Sequence, residues 1–484
     1  VTAEYIAFHA TERPDAVAIV DNGRDITYAE FARDIRKVTR ALRALDLPPW
    51  SSAAIDCDDA YFNWLLRLAF ERLRVITAPV ASSDQKNVRS FAHEYHIVLS
   101  DKNLPAGSVR HHPTTTEWLQ SVLESGEEDR EPPPERRSDD PIRIVVTSGT
   151  TGWPKRLLYT RHIHEAHIAR VLWLAEFTRR SRYLLAMSLA VSGTAACVRA
   201  GGTVVFEGRT STADAIADHG ITHTTLPPFA LKRLLDELPS GFAKPADLMI
   251  WSFGAPISRT LREKALAHLA TDLCEIYASN EADAVSAIRG KAEIGTIWPG
   301  VRVQVVDAHD RPLPFGQAGQ IRVQTNCMAT GYMDFPQAAG HIFKDGWFYA
   351  GDVGILHDAH RLQVLGRSDD VLNIGWLKIA PEVIEELVIR LGEVADVGVC
   401  GVPNADGIEE VCIAVAGQRS SDDDLLRGIT EALRRFQLGR FNVIKVSAVP
   451  RTPNGKLQRK ALKDIVAAAV HAQSQAPERI REQP

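Results

Sequence analysis

An apolar segment, Ile142 to Val146, runs into Thr147-Ser148-Gly149-Thr150-Thr151-Gly152-Trp153-Pro154 and closes on Lys155. The apolar run reads as a buried strand and the polar run as the loop it delivers. Two glycines let backbone amides approach an anion closely, three threonines and a serine add hydroxyl donors, and Lys155 adds a positive charge. That is chemistry for holding a polyphosphate. The spacing is not that of a Walker loop, because only two residues separate Gly149 from Gly152 and Pro154 precedes the lysine. Taken by itself, the segment also has a plainer reading as a flexible polar loop.

Four further segments follow in order. They are Tyr277-Ala278-Ser279-Asn280-Glu281, then Gly331-Tyr332 with Asp345 to Asp352, then Gly366-Arg367-Ser368-Asp369-Asp370, and Pro450 to Lys456. With the loop at their head, they resemble the adenylate-forming superfamily of acyl- and aryl-CoA ligases, luciferases and the adenylation domains of peptide synthetases. The phosphate loop of that superfamily reads Ser-Gly-Thr-Thr-Gly-x-Pro-Lys. The resemblance runs from roughly residue 20 to residue 462.

The resemblance implies roles. Thr147, Ser148, Gly149, Thr150, Thr151, Gly152 and Lys155 would wrap the β- and γ-phosphates of ATP. Glu281 would hold Mg²⁺, a hard cation that takes carboxylate and phosphate oxygens. Tyr277 would lie against the adenine, and Asn280, where the family usually has threonine, can still donate a hydrogen bond to a phosphate. Asp352 and Arg367 would fix the ribose hydroxyls, since a carboxylate accepts from two hydroxyls at once. Asp369 would be the hinge between two domain arrangements. Lys456 would be the catalytic cation, offsetting charge as a carboxylate attacks the α-phosphorus. Without the motifs, each has a bland reading: a helix cap for Glu281, a core ring for Tyr277, surface ion pairs for Asp352 and Arg367, a solvated lysine for Lys456.

Two departures from the family stand out. Arg156 replaces the glycine that follows the loop lysine, where it either contacts phosphate or points to solvent. Trp376 replaces the second glycine of Asn373-Ile374-Gly375-Trp376-Leu377-Lys378, a loop that in CoA ligases turns to line the pantetheine tunnel. Two readings stand: Trp376, beside Gly375, narrows the acceptor tunnel, or it is an exposed ring on an irregular loop. The segment Met187 to Thr194 lacks the aspartate with which amino-acid-activating relatives hold a substrate ammonium. Ala190, Ser192 and Gly193, with Ser252, Gly254 and Ala255, suggest a mostly apolar pocket for an aryl or short-to-medium acyl acid.

These groups need a frame to position them. A chain of 484 residues exceeds one ordinary core, so at least two domains are expected. Thr27-Tyr28-Ala29-Glu30 is a capping-box pattern, after which Phe31, Ile35, Val38, Leu42 and Leu45 share one helical face. Val75 to Val80 reads as a buried strand, and alternation of such strands with helices predicts an α/β fold. The prediction is a large N-terminal domain of layered α/β subdomains with a small β-rich subdomain over 295–365, spanning 1–367. A small mobile α+β domain would span 368–484, with a helix opening at Pro381, strands at Val397–Val402 and Val411–Val415, and an amphipathic helix over 422–437. Residues 124–141 read as a solvated spacer, and the tail from about Gln473 as frayed.

Bulk properties exclude several classes. A net charge of −5 and the absence of a basic stretch interleaved with aromatics leave no nucleic-acid footprint. No run of about 18 apolar residues predicts a membrane span. Six scattered cysteines (57, 197, 274, 327, 400, 412) read as reduced core thiols, and a cytoplasmic location is expected. His162-Ile163-His164-Glu165-Ala166-His167 has metal-like spacing but is read as a solvated helix face, and His111-His112 as a pair in a loop.

The expectation is an acid-CoA ligase using ATP and Mg²⁺, with CoA as co-substrate. It would adenylate a carboxylic acid, then form the thioester and release AMP and pyrophosphate. Transfer to a carrier-protein thiol or to an amine remains open, as does a non-catalytic nucleotide-binding regulator.

Overall fold

The structure, a computed structural model, describes residues 1–79, 95–102, 110–147, 155–186, 191–206, 211–254, 257, 259–333, 342–367, 372–374, 377–379, 381–404, 408–436, 440–451 and 457–474. The fold is α/β, and the chain divides into two compact units. One comprises Val1–Thr147, Lys155–Phe253 and Arg262–Leu365; the other comprises Ser148–Pro154, Gly254–Leu261 and Gly366–Pro484.

The first unit holds two sheets. A six-stranded sheet runs, edge to edge, His111–Pro113, Ile97–Ser100, Ser52–Asp56, Ile76–Pro79, Pro141–Thr147 and Lys155–Thr160. All neighbours are parallel except the last pair. Ser52–Asp56 and Ile97–Ser100 are buried at every residue, as strands covered on both faces must be. The helix Tyr28–Arg43 starts on the expected capping box: Thr27 Oγ1 accepts from the Glu30 amide, and Glu30 accepts from the Thr27 amide. Its buried residues Phe31, Ile35, Val38 and Leu42 pack into one core with Trp64, Phe70 and Phe206.

A fourteen-stranded sheet has a parallel centre, Thr203–Phe206, Arg182–Leu184, His223–Thr225, Met249–Phe253 and Asp272–Ser279. The hairpin Val17–Asp21 and Arg24–Thr27 closes one edge. On the other side, Asp283–Arg289 turns back antiparallel and leads to Gly295–Ile297, Arg361–Arg367, Trp347–Leu356, Ala318–Gln324 and Arg302–Val306. The β-rich segment expected over 295–365 is continuous with the large sheet, and Val305, Ile321, Val323 and Phe348 give it a core of its own.

Two local expectations are corrected. Residues 124–141 are not a freely solvated spacer: Arg36 pairs with Glu128 at 2.6 Å and Arg43 with Asp129 at 3.0 Å, and Asp129 is buried. The acids that kept this segment out of a core tie it to the basic side of the helix Tyr28–Arg43. His111 and His112 lie in a short edge strand, not a loop, and the His112 ring meets Trp118 edge-on at 5.3 Å.

In the second unit, Asp396–Pro403 and Glu409–Ala416 pair antiparallel, and Phe441–Lys445 adds in parallel. Alternate residues face opposite cores, which is why the strands read as continuous apolar runs. Val399, Val411 and Ile413 pack with Ile384 and Ile429, whereas Cys400, Cys412 and Ala414 pack with Leu462 and Val466. Pro381–Arg390 and Arg459–Ser474 are helices; the helix expected over 422–437 is α-helical over Asp422–Leu433 and finishes as a 3₁₀ turn at Arg434–Phe436. Leu372–Ile374 pairs antiparallel with Leu377–Ile379. All six cysteines are free and buried. No helix among the described residues is long and apolar enough to cross a membrane.

Candidate functional site

The turn Asn280–Ala282 joins the antiparallel strands Asp272–Ser279 and Asp283–Arg289. It is tight: the Ala282 amide donates to Ser279 Oγ at 3.1 Å, and Asp283 takes a left-handed backbone at φ 61°. Neighbouring segments clamp it. The Tyr159 hydroxyl donates to the Asn280 carbonyl, and the Ala329 amide donates to the Glu281 carbonyl at 2.8 Å. The Asp283 carboxylate lies 3.7 Å from both Arg170 and His167. The backbone that presents Glu281 is therefore held from the sheet, from the helix Arg161–Leu174 and from the 326–329 segment.

Lys155 opens the strand Lys155–Thr160, and its register partner across the hairpin is Thr147. The two residues thus stand side by side, one on each strand of the pair. Lys155 is buried, with its ammonium 4.8 Å from the centroid of the Tyr332 ring. The hydroxyl of the same ring donates to Glu281 Oε1 at 2.8 Å. Backbone pairing of Tyr332 with Leu157, and donation from the Met333 amide to the Arg156 carbonyl at 2.9 Å, fix the ring beside the lysine strand. Arg156 itself lies over the Tyr95 ring at 5.9 Å.

Asp352, on the strand Trp347–Leu356, is buried, and its Oδ2 accepts from the Tyr277 hydroxyl at 2.6 Å. The Tyr277 ring packs against the core of Val285, Ile321 and Phe348 while its polar tip braces the carboxylate. Of the residues singled out in the sequence, the structure brings together Lys155 with Glu281 through Tyr332, and Tyr277 with Asp352. Asn280 is exposed on the turn.

Around the expected acid pocket, Gly193 lies on the helix Val191–Ala200, against Tyr183. A Cβ at Gly193 would sit 2.8 Å from the Tyr183 hydroxyl, which is 3.1 Å from Thr225 Oγ1. Ser192 sits beside it on the same helix. Ser252 is fully buried, and its hydroxyl has no partner among the described residues. Gly254 takes φ 95°, a conformation that favours glycine. Ser148, Gly149, Thr150, Thr151, Gly152, Ala190, Ala255, Asp369, Gly375, Trp376 and Lys456 lie outside the described residues, as do the side chains of Thr147 and Arg367.

The reading of His164 and His167 as a solvated face is overturned, because both are buried. Their face of the helix packs inward. The His167 ring meets Tyr159 edge-on at 4.9 Å and bonds the Cys327 carbonyl at 3.3 Å, and His164 lies 3.9 Å from Glu71. Burial pushes His164 down to about 3 and lowers His167 too, so both are neutral. His167, Asp283 and Cys327 are close enough to share an ion. Burial lifts the Cys327 thiol to about 11, however, and Arg170 already supplies a cation to Asp283; the group reads as a brace for the Glu281 turn.

Tyr159 and Tyr332 are the residues that sequence reasoning passed over. Tyr332 stood inside a quoted motif, but nothing in spacing links a hydroxyl to a carboxylate 51 residues earlier in the chain. A separate recess of about 530 Å³, lined by Trp173, Trp298, Pro299 and Arg170 among others, contains none of the nucleotide-site candidates.

Comparison with known proteins adds the following. Residues 6–333 match the model of the AMP-binding enzyme family. A fatty acid–[acyl-carrier-protein] ligase of Streptomyces coeruleorubidus is 26% identical, over 95% of both chains. Among solved structures, o-succinylbenzoate CoA synthetase of Bacillus subtilis superposes with a TM-score of 0.79 at 20% identity, over 95% of this chain and 98% of that one. An amide bond synthetase from Marinactinospora thermotolerans superposes with a TM-score of 0.78 at 21% identity, over 96% and 99%. At those identities the structural likeness speaks to the fold alone.

Proposed function

Since the chain belongs to the AMP-binding enzyme family, we propose that it is an acid ligase that adenylates an aryl or short-to-medium acyl carboxylate with ATP and transfers the acyl group to the thiol of CoA. The observation that carries this reading is the convergence of Lys155 and Glu281 on one tyrosine, with Tyr277 bracing a buried Asp352 in the same unit. A cation on a strand, a carboxylate on a clamped turn and a second carboxylate on a strand suit what a nucleoside triphosphate needs at its phosphates and its ribose.

In the first step a carboxylate oxygen of the acid bonds to the α-phosphorus of ATP. The bond from that phosphorus to the bridging oxygen breaks, and pyrophosphate leaves with the electron pair. Lys155 offsets charge on the departing phosphates, and Asp352 accepts from the ribose hydroxyls. Glu281 would hold Mg²⁺, since an oxygen donor on a clamped turn suits a hard cation, which when bound offsets polyphosphate charge. Lys456 is assigned to the α-phosphate. In the second step the thiol sulfur bonds to the acyl carbon, the acyl–phosphate C–O bond breaks, AMP leaves and the thiol proton passes to solvent. Domains of 1–367 and 368–484, pivoting at Asp369, would let one site serve both steps.

A second acceptor, a carrier-protein thiol, is supported by the carrier-protein ligase that matches over 95% of both chains, and by Trp376 in the tunnel loop. The test is pyrophosphate release with ATP, Mg²⁺ and a panel of aryl, acyl and amino acids, with and without CoA. Release that requires a particular acid, and an acyl-CoA on adding CoA, is expected. Acid-dependent release without thioester would move the acceptor to a carrier protein or an amine. No release with any acid would favour a nucleotide-binding regulator over an enzyme.

A further inference from the structure

Tyr332 is buried, and one ring serves two charged neighbours of opposite sign. Its hydroxyl donates to Glu281 Oε1 at 2.8 Å, and its face lies 4.8 Å from the Lys155 ammonium. The ring cannot easily turn away. Its backbone is bridged to Leu157, and Phe343 packs edge-on against it at 5.5 Å. A hydrogen bond from a neutral donor to a carboxylate fixes one oxygen in direction without cancelling its charge. A ring face attracts an ammonium without donating to it or neutralising it.

We propose that Tyr332 is a positioning residue of the nucleotide site: its hydroxyl aims the Glu281 carboxylate at the divalent cation, and its ring holds the Lys155 ammonium toward the phosphates. This rests on the nucleotide-site reading of Lys155 and Glu281. Two groups, one opening a strand and one on a turn, are brought to one side chain and thereby set at a constant spacing, as a cation bound to a polyphosphate requires. The opposing explanation is that Tyr332 only fills space beside Phe343. The two explanations differ in what the hydroxyl is for.

The Tyr332→Phe variant keeps the ring, its packing and the ammonium contact, and removes only the hydroxyl. Titration of ATP into the purified full chain by calorimetry, at a series of Mg²⁺ concentrations and in EDTA, reads the effect without any turnover. In Tyr332→Phe the Mg²⁺ concentration that half-saturates ATP binding rises by about tenfold, the scale of a lost hydrogen bond to a charged group. Its affinity in EDTA stays at the wild-type value. Tyr332→Leu, which also loses the ring face, weakens ATP binding in EDTA as well. A Tyr332→Phe protein with native circular dichroism and an unchanged Mg²⁺ dependence would overturn the positioning role while leaving the nucleotide site standing. Wild-type protein that binds no ATP with or without Mg²⁺ would overturn the site reading, and the role with it.

Discussion

Glu71 and His164 sit 3.9 Å apart in the interior and are pushed in opposite directions by the same cause. Burial raises Glu71 from 4.5 to about 7 and lowers His164 from 6.5 to about 3, so both favour their neutral forms. Between pH 4.5 and 6.5 the folded chain holds the Glu71 proton and the unfolded chain holds the His164 proton. The bound protons balance, and this pair gives a flat stability profile there. Below pH 4.5 the unfolded state binds one proton more and stability falls with acid, down to about pH 3. Above 6.5, and up to about 7, the folded state alone retains a proton and stability falls slightly with base. Glu71→Gln removes one side of the balance. The stability of the variant relative to wild type should rise by about 1.4 kcal/mol per pH unit between pH 5 and 6.5. Urea unfolding at the two pH values measures it, and a pH-independent difference would sink the assignment.

At the scale of elements, the contact between the helix Val191–Ala200 and the strand Arg182–Leu184 depends on a missing side chain. Gly193 lets the helix approach the Tyr183 ring, whose hydroxyl reaches Thr225 on the neighbouring strand. Gly193→Ala forces a methyl to 2.8 Å from that hydroxyl, and overpacking of this kind costs about 1–3 kcal/mol. Tyr183→Phe removes the atom in conflict, so the double variant should recover part of the loss. Denaturant unfolding of both single variants and the double tests this: additive losses would show that the two positions do not meet. The glycine was legible in the sequence as a small residue in a candidate pocket. Its partner was not, because Tyr183 lies on a separate strand in an ordinary apolar run. The helix starting at Tyr28, by contrast, could be read entirely from Thr27, Glu30 and the apolar spacing, since a cap and a face are local properties.

At the scale of the whole molecule, the nucleotide-site candidates Lys155, Glu281 and Asp352 belong to one unit, and residues 366–484 to another with two cores of its own. Lys456, in the second, is assigned to adenylation only. Lys456→Ala should lower acid-dependent pyrophosphate release by a hundredfold or more, the order of a lost charge-stabilising group. It should still convert a synthetic acyl-adenylate and CoA to thioester; loss of both steps alike would remove the basis for a division of labour between units. What the sequence determined by itself is what short stretches encode: the family, through ordered motifs; and the α/β class, through buried apolar runs alternating with amphipathic helices; it also proposed Lys155, Glu281, Tyr277 and Asp352 as site candidates. Tertiary structure alone decided which of these meet. A hydroxyl bond from Tyr332 to Glu281, the inward face carrying His164 and His167, and the pinning of residues 124–141 by Arg36 and Arg43 join segments far apart in the chain. Such pairings leave no periodicity or spacing to read, because they are fixed by how sheets and helices stack and not by the neighbours of each residue along the chain.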